Sequence, residues 1–579
     1  METRRQAERG NVERREARCV LSDGTALRTI LLLPAGSGPW PALLMRHPYD
    51  VSADERDGLI DVTRLAEAGF VVALQDVRGR FGSAGDFDPC RQEVADGAEA
   101  VAWLSALPEC NGSVGMWGAS YASDTQFSAL MGGAPALKAL AATVTPALSA
   151  LDGFRFRGGV PELGSTLAWT HYAIAPDMIS RIADAGERFA EEERWQTTEA
   201  AIAGGTACGA AALQSPRQVE AAVAWGLDRL RDPLDSPQHK AGKIVERMDA
   251  VDIPVLLIGG WFDVFLGSTL ELYRRLCVQS RDRGTPAPAL IVGPWSHSNM
   301  SGTIAGTDYG SSASAQELWR EGGLTEQHVG WFARALMHEQ PAEKPVHVFV
   351  MGSNRWVALE EFPPPQAEAV ELFLSADGSL SEAPLPGARA LQSDPAAPVP
   401  TRGGAVLLFG SFEAGPMDQT PLEARSDVLS WRTDPLQKSL TILGSMQAVI
   451  HLETTGTDAD VVVRLCDEHP GGRSLVIADG VQRGSARDVD PVTGAGDRRP
   501  LTPGRDEEFV VDLWSTAHTF LPGHRMRVDI APSSSPRWDV GTNAFEPGAG
   551  EAPPVAAQYT IRHGPAHPSR LIVQTANVF

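Results

Sequence analysis

Val114-Gly115-Met116-Trp117-Gly118-Ala119-Ser120-Tyr121-Ala122 carries an apolar run of strand character into a small-x-Ser-x-small turn, with small residues following. A serine held on a sharp strand-to-helix turn needs glycine or alanine on either side, because a larger Cβ there collides with the neighbouring strand or helix. Gly118 and Ala122 meet that need. The stretch predicts a nucleophile elbow with Ser120 at its tip, and with it an α/β hydrolase core.

An acyl-transfer serine needs a histidine base and an acid that orients it, in the chain order Ser, acid, His for this fold. Both occur downstream, each after a buried-looking strand. Val255-Leu256-Leu257-Ile258-Gly259-Gly260 is an unbroken apolar run, as in a parallel strand covered on both faces, and it ends in Trp261-Phe262-Asp263. Ala289-Leu290-Ile291-Val292-Gly293 leads through Pro294-Trp295-Ser296 into His297. Catalytic groups of open α/β sheets gather at such carboxyl ends. The long interval between Ser120 and Asp263 leaves room for an inserted segment.

The chain's punctuation gives its organisation. Up to residue 148, strands such as Ala42 to Met45 and Phe70 to Leu74 alternate with helical segments such as Glu93 to Ala106, as expected of a parallel sheet with helices on both faces. From 149 to 245 strand signals vanish and Ala, Glu, Arg and Trp dominate, as in Met178 to Arg194 and Val219 to Arg231, so this stretch reads as a helical insertion. The core resumes over 246–355, closing near Val346 to Met351. Over 356–579, Pro and Gly punctuate short alternating strands, including Ala448 to Glu453, Val461 to Leu465, Phe509 to Leu513 and Met526 to Ile530, which predicts an all-β sandwich.

Composition narrows the function classes. The 579 residues exceed a single core, and the formal charge of −23 repels nucleic acid and anionic membrane alike. The opening Met-Glu-Thr-Arg-Arg-Gln-Ala-Glu-Arg lacks the apolar stretch of a signal peptide, and no apolar run spans a bilayer, so the expected location is cytoplasmic. Cys19, Cys90, Cys110, Cys208, Cys277 and Cys466 are sparse and irregular, which fits reduced thiols. No His-Glu-x-x-His or clustered Cys/His spacing marks a metal site. The glycine-rich stretches 158–164 and 204–209 do not follow strands as a phosphate loop requires, so no cofactor is expected. The expected partner is a small-molecule ester; the oligomeric state is open, a homo-oligomer included.

Several dispersed strings carry a family resemblance. Arg46-His47-Pro48-Tyr49-Asp50, Gln75-Asp76-Val77-Arg78-Gly79, Gly118-Ala119-Ser120-Tyr121, Gly260-Trp261-Phe262-Asp263, Gly293-Pro294-Trp295-Ser296-His297, Gly415-Pro416-Met417-Asp418-Gln419 and Phe520-Leu521-Pro522-Gly523-His524-Arg525 resemble the cocaine esterase family. The likeness extends to α-amino acid ester hydrolases and X-prolyl dipeptidyl aminopeptidases, and it runs in order along nearly the whole chain. It implies that Ser120 attacks an ester carbonyl, His297 relays the proton and Asp263 orients the imidazole. It also implies an oxyanion hole made by the Tyr49 hydroxyl and the Tyr121 N–H, a cap built by the helical insertion, and a jelly roll in the sandwich. Trp169, Phe265, Leu408 and Phe409 match family positions that line the acyl pocket, with Phe154 and Phe156 as looser candidates. An aromatic pocket favours a benzoyl-like or other bulky acyl group. One departure is Ser123, where the family's elbow usually has glycine; the helix after the elbow is therefore expected to start slightly differently.

Plainer roles are expected for other residues. Asp76 and Arg78 suit a structural ion pair or turn, Asp50 a hydrogen bond in its own loop, and His171 and His524 surface or packing positions. The implied chemistry is a serine carboxylesterase with an acyl-enzyme, and amide or α-aminoacyl hydrolysis by the same triad stays open, with Glu162 or Asp177 as carboxylates for a substrate ammonium. A non-catalytic binding protein is the remaining reading, and the joint presence of Tyr49, Ser120, Asp263 and His297 speaks against it.

Overall fold

Ten strands line up in one mostly parallel sheet whose central strands carry apolar side chains on both faces. In this computed structural model the described residues are 12–147, 156–203, 244–318, 322–337, 345–408, 412–491, 495–545 and 553–577. The strands are β1 (Glu13–Val20), β2 (Ala26–Leu33), β3 (Trp40–His47), β4 (Val71–Asp76), β5 (Cys110–Ala119), β6 (Leu137–Thr143), β7 (Val255–Phe262), β8 (Ala289–Ser296), β9 (Val346–Val350) and β10 (Arg355–Leu359). Their spatial order is β1-β2-β4-β3-β5-β6-β7-β8-β9-β10. From β4 through β9 all neighbours are parallel, while β1, β2 and β10 join antiparallel at the edges.

Successive residues of one strand feed opposite cores, as the two-residue period demands. Leu44, Ala73, Met116 and Leu257 point to one face, where they meet Leu104 of α2 (Glu93–Ser105), Phe127 of α3 (Tyr121–Met131) and Leu272 of α4 (Leu266–Arg283). Their neighbours Leu43, Leu74, Trp117 and Ile258 point to the other, against Leu65 of α1 (Val62–Glu67) and Phe332 of α5 (Gly323–Met337). Burying both faces is what makes a parallel sheet stable in water. The strand β10 crosses the expected boundary between 355 and 356, since it pairs along its length with β9.

The C-terminal part is all β. A seven-stranded sheet holds Leu380–Ser381, β11 (Glu368–Leu374), β12 (Gly387–Ser393), β14 (Leu440–Thr454), β17 (Asp506–Phe520), β19 (Ala557–His563) and β20 (Arg570–Thr575). A four-stranded sheet holds β13 (Leu429–Arg432), β15 (Asp460–Glu468), β16 (Ser474–Arg483) and β18 (Arg525–Ala531). Met446, Ile450, Phe509 and Val573 of the first share one apolar core with Trp431, Val463, Val528 and Ile530 of the second. The result is an α/β hydrolase sheet followed by a β domain.

From residue 163 the described part of the inserted segment is helical in several pieces, with a break between Ser180 and Ala185. It forms Leu163–Leu167, a π-helix Ala168–Ile174, then Ala175–Ser180 and Ala185–Ala203. The break has a local cause: Asp184 accepts the Glu187 N–H at 2.8 Å and so starts a new helix as its cap. Phe156 is buried in a short hairpin, Phe156–Arg157 with Val160–Pro161. Phe154, Cys208, the 204–209 glycines and the expected helix Val219 to Arg231 lie outside the described residues, as does the boundary at 148/149. Among the described residues no helix is long and apolar enough to cross a membrane.

Candidate active site

Strand β5 ends at Ala119, and Ser120 turns the chain with φ 58° and ψ −122° before α3 begins at Tyr121. That backbone is strained for a residue with a Cβ, by on the order of 1–3 kcal/mol, and the surrounding sheet must hold it. Part of the hold is the Ser120 N–H donating to the Thr143 carbonyl of β6 at 2.9 Å. Gly118, at φ 141°, must be glycine: a Cβ there would stand 2.5 Å from the Ala122 Cβ. Ser123 sits inside the helix, where no glycine conformation is required, and its hydroxyl donates to the Ser120 carbonyl at 2.7 Å. The substitution is absorbed as a hydrogen bond in the first helical turn.

Asp263 follows β7 and is fully buried; His297 follows β8, whose register with β7 shifts between Gly293 and Ser296. Such a shift re-aims the residues that follow it. His297 Nδ1 lies 2.8 Å from Asp263 Oδ1, and His297 Nε2 lies 3.0 Å from Ser120 Oγ. A carboxylate can only accept, so Nδ1 carries the hydrogen and Nε2 offers its lone pair to the serine hydroxyl. The Phe265 ring stands edge-on to the imidazole, centroids 5.0 Å apart at 84°, and fixes its plane.

Tyr49 leaves β3 through Pro48. Its N–H donates to His47 Nδ1 at 3.0 Å, the His47 ring stacks on the phenol at 5.4 Å, and His47 Nε2 in turn reaches Asp54 at 2.7 Å. The Tyr49 hydroxyl accepts from Trp169 Nε1 at 2.8 Å. Burial pushes the phenol well above its ordinary pKa, so it remains a protonated donor. Because its lone pair is engaged by the indole, the Tyr49 hydrogen is directed elsewhere.

Tyr121 supplies a backbone N–H at the start of α3 that meets no protein acceptor among the described residues. Its ring stacks on Trp169 (6.2 Å, 10°), and its hydroxyl donates to Glu93 at 3.0 Å while accepting from the Cys90 N–H. Glu93 faces Arg46 at 3.0 Å with both side chains fully buried. Burial pushes the Glu93 carboxyl up, and the Arg46 charge opposes that. Arg80, also fully buried, donates to the Pro48, Ala173 and Ile174 carbonyls, tying the Tyr49 loop to the π-helix that carries Trp169.

The other expected residues divide. Leu408 is half-buried against Gly164, whose Cα leaves no room for a Cβ beside it; Phe409 lies outside the described residues. Asp76 pairs with Arg28 at 3.0 Å rather than with Arg78, which grips Asp96 and Asp23, because the two side chains leave the chain toward different sides. Asp50 caps the helix that follows it by accepting the Ser52 N–H. His171 is buried and stacks on Trp195 at 5.1 Å. Glu162 is held by Trp538 Nε1 at 2.7 Å and Arg537, and Asp177 by Arg80 and Arg181, so both expected ammonium-binding carboxylates already have partners. His47, Glu93 and Arg80 had no functional signal of their own in the sequence; only the motif strings around Tyr49 and Gly79 pointed near two of them.

Known proteins are similar to this chain. Residues 23–299 match the model of the X-Pro dipeptidyl-peptidase (S15) family, and 340–572 match that of the X-Pro dipeptidyl-peptidase C-terminal non-catalytic domain. The chain is similar to cocaine esterase of Rhodococcus sp. (strain MB1 Bresler), 30% identical with 96% of each chain covered. It also resembles the solved structure of an α-amino acid ester hydrolase, TM-score 0.75 at 25% identity, covering 98% of this chain and 97% of that one. An aminopeptidase from a marine sediment Thaumarchaeota archaeon shares the fold, TM-score 0.80 at 23% identity, with 98% and 97% covered.

Proposed function

Because the chain belongs to the X-Pro dipeptidyl-peptidase (S15) family, with cocaine esterase among its relatives, we propose that it is a carboxylesterase for esters of bulky or aromatic acids. That it is a serine hydrolase acting on esters follows from the family itself. The observation that carries the proposed acyl-enzyme chemistry is the unbroken relay from Ser120 Oγ through His297 to Asp263, at 3.0 and 2.8 Å, and the aromatic Phe265 against the imidazole supports the acyl preference.

In the proposed cycle, Ser120 Oγ attacks the ester carbonyl carbon as His297 Nε2 takes its proton, with Asp263 stabilising the imidazolium. The Tyr49 O–H and Tyr121 N–H receive the negative oxygen of the tetrahedral intermediate. The C–O bond to the alcohol breaks, His297 gives the proton to the departing alkoxide, and an acyl-Ser120 ester remains. Water then attacks that ester, losing its proton to His297, and the acid leaves as Ser120 regains its hydrogen. No cofactor enters. Phe265, Trp169 and Leu408 would line the acyl side, which supports the preference for apolar acids.

The domain reading goes with it: hydrolase core over 1–148 and 246–355, extended by the strand to Leu359; a helical cap over 149–245; and a jelly roll over 356–579. The rival, an α-aminoacyl or X-prolyl hydrolase, is suggested by the family's name and by the similarity to an α-amino acid ester hydrolase. Against it, Glu162 and Asp177 are committed to arginines. A matched panel of benzoyl, acetyl and α-aminoacyl esters and their anilides, run with wild type and Ser120→Ala, tests the choice. Fast benzoyl ester cleavage that disappears in the variant is expected; faster aminoacyl ester or anilide cleavage would establish the rival instead.

A further inference from the structure

Far from the elbow in sequence, three histidines of the β domain converge on one carboxylate. Asp467, near the end of β15, is buried; His524 Nδ1 lies 2.8 Å from its Oδ1, and His518 Nε2, from β17, lies 3.1 Å from its Oδ2. His469, two residues past Asp467, brings its Nε2 to 3.9 Å from Oδ2. One donor atom each from Asp467, His469 and His524 fall within 4.8 Å of one another.

We propose that Asp467, His469 and His524 bind a single divalent metal ion of the zinc class, with His518 holding the carboxylate in place from its other oxygen. Two histidines and a carboxylate form a donor set suited to such ions, and His518 plays the orienting part that outer partners take around bound metals. Ligands about 2.0–2.1 Å from a tetrahedral ion stand roughly 3.3 Å apart. His524 Nδ1 stands 2.8 Å from Oδ1, the donor atoms of Asp467, His469 and His524 all lie within 4.8 Å of one another, and the half-exposed His469 has the freedom to close in. Hydrogen bonding accounts for His518 and His524 alone. His469 Nε2 is beyond hydrogen-bond reach of the carboxylate, yet its ring packs 4.4 Å from that of His524.

The backbone is prepared for the task. His524 is held in its turn by its carbonyl accepting the Leu436 N–H at 2.8 Å, and the His469 N–H donates to the Arg473 carbonyl at 2.8 Å. Nearby, the Met351 N–H donates to the Ala517 carbonyl and the Thr519 N–H to the Met351 carbonyl, so His518 stands where the hydrolase sheet meets the β domain. A metal here would fasten that seam and take no part in ester cleavage.

The test is independent of the esterase reading. Chelator-treated full-length protein is titrated with zinc by calorimetry and with cobalt by visible absorption, alongside His469→Ala, His524→Ala and Asp506→Asn. The last removes the carboxylate of a second His/Asp group, His451, Asp506 and His567, which serves as the control. One equivalent of zinc is expected to bind, raise the melting temperature and vanish in both histidine variants, with Asp506→Asn retaining it. His469→Ala, whose imidazole is beyond hydrogen-bond reach of the carboxylate, should keep wild-type melting temperature in chelator, which separates loss of the site from loss of the fold. No zinc heat at micromolar concentrations, or a stoichiometry unchanged by His469→Ala, would overturn the proposal.

Discussion

At Tyr49 the chemistry depends on who holds the hydroxyl. Trp169 Nε1 donates to its oxygen and Arg80 anchors its loop through the Pro48 carbonyl, so in the proposed cycle the phenol is aimed before substrate arrives. Tyr49→Phe is expected to lower kcat by roughly a hundredfold to a thousandfold, the usual cost of one oxyanion donor, while the melting temperature hardly moves. Unchanged turnover would remove Tyr49 from the hole. Trp169→Phe keeps an aromatic ring but deletes the N–H, one neutral hydrogen bond. That is worth about twofold to tenfold, and the loss should fall on kcat for acetyl and benzoyl esters equally. A change confined to KM for bulky esters would instead make Trp169 a pocket wall only.

At the scale of elements, the elbow is a strand and a helix pressed together at two small residues. Gly118→Ala places a Cβ 2.5 Å from that of Ala122 on a backbone of φ 141°, so the turn must shift. A displacement of about 1 Å at the nucleophile costs on the order of a hundredfold in kcat/KM, and near-normal kinetics would show that the elbow yields without moving Ser120. The strands and the elbow were legible in the sequence because burial on both faces leaves a continuous apolar run, and because glycine and alanine are the only residues that fit a close approach. Where the helical run of the inserted segment breaks was not legible, because the capping role of Asp184 depends on which N–H it meets.

The whole molecule is joined by buried charge. Arg157 and Glu162 of the inserted segment meet Asp479, Arg537 and Trp538 of the β domain, with the Arg157 guanidinium 3.5 Å over the Trp514 ring. Burial lifts the Glu162 carboxyl from 4.5 to about 7, with the Arg537 charge opposing. A carboxyl held above its unfolded value takes up a proton on folding between those pH values. Its contribution to stability is therefore complete below about 4.5 and is lost as pH rises through about 7. Glu162→Gln, which cannot ionise, should lose less melting temperature than wild type between pH 5 and 8. Parallel pH profiles for the two proteins would mean that Glu162 does not titrate in that window.

The sequence alone determined the α/β sheet, the β-rich C-terminal part and the order Ser120, Asp263, His297, because those rest on local signals: apolar period, turn residues and position at strand ends. Tertiary structure alone decided that Trp169 engages the Tyr49 hydroxyl, that Glu93 backs Tyr121, that Asp76 takes Arg28, and that Asp467 gathers three histidines. Each of those contacts joins residues far apart in the chain or on different strands, and no local pattern records which distant donor a buried acceptor meets. The physical reason is that apolar burial can be read residue by residue, whereas a hydrogen bond or a ligand set exists only once the packed fold has brought its partners within about 3 Å.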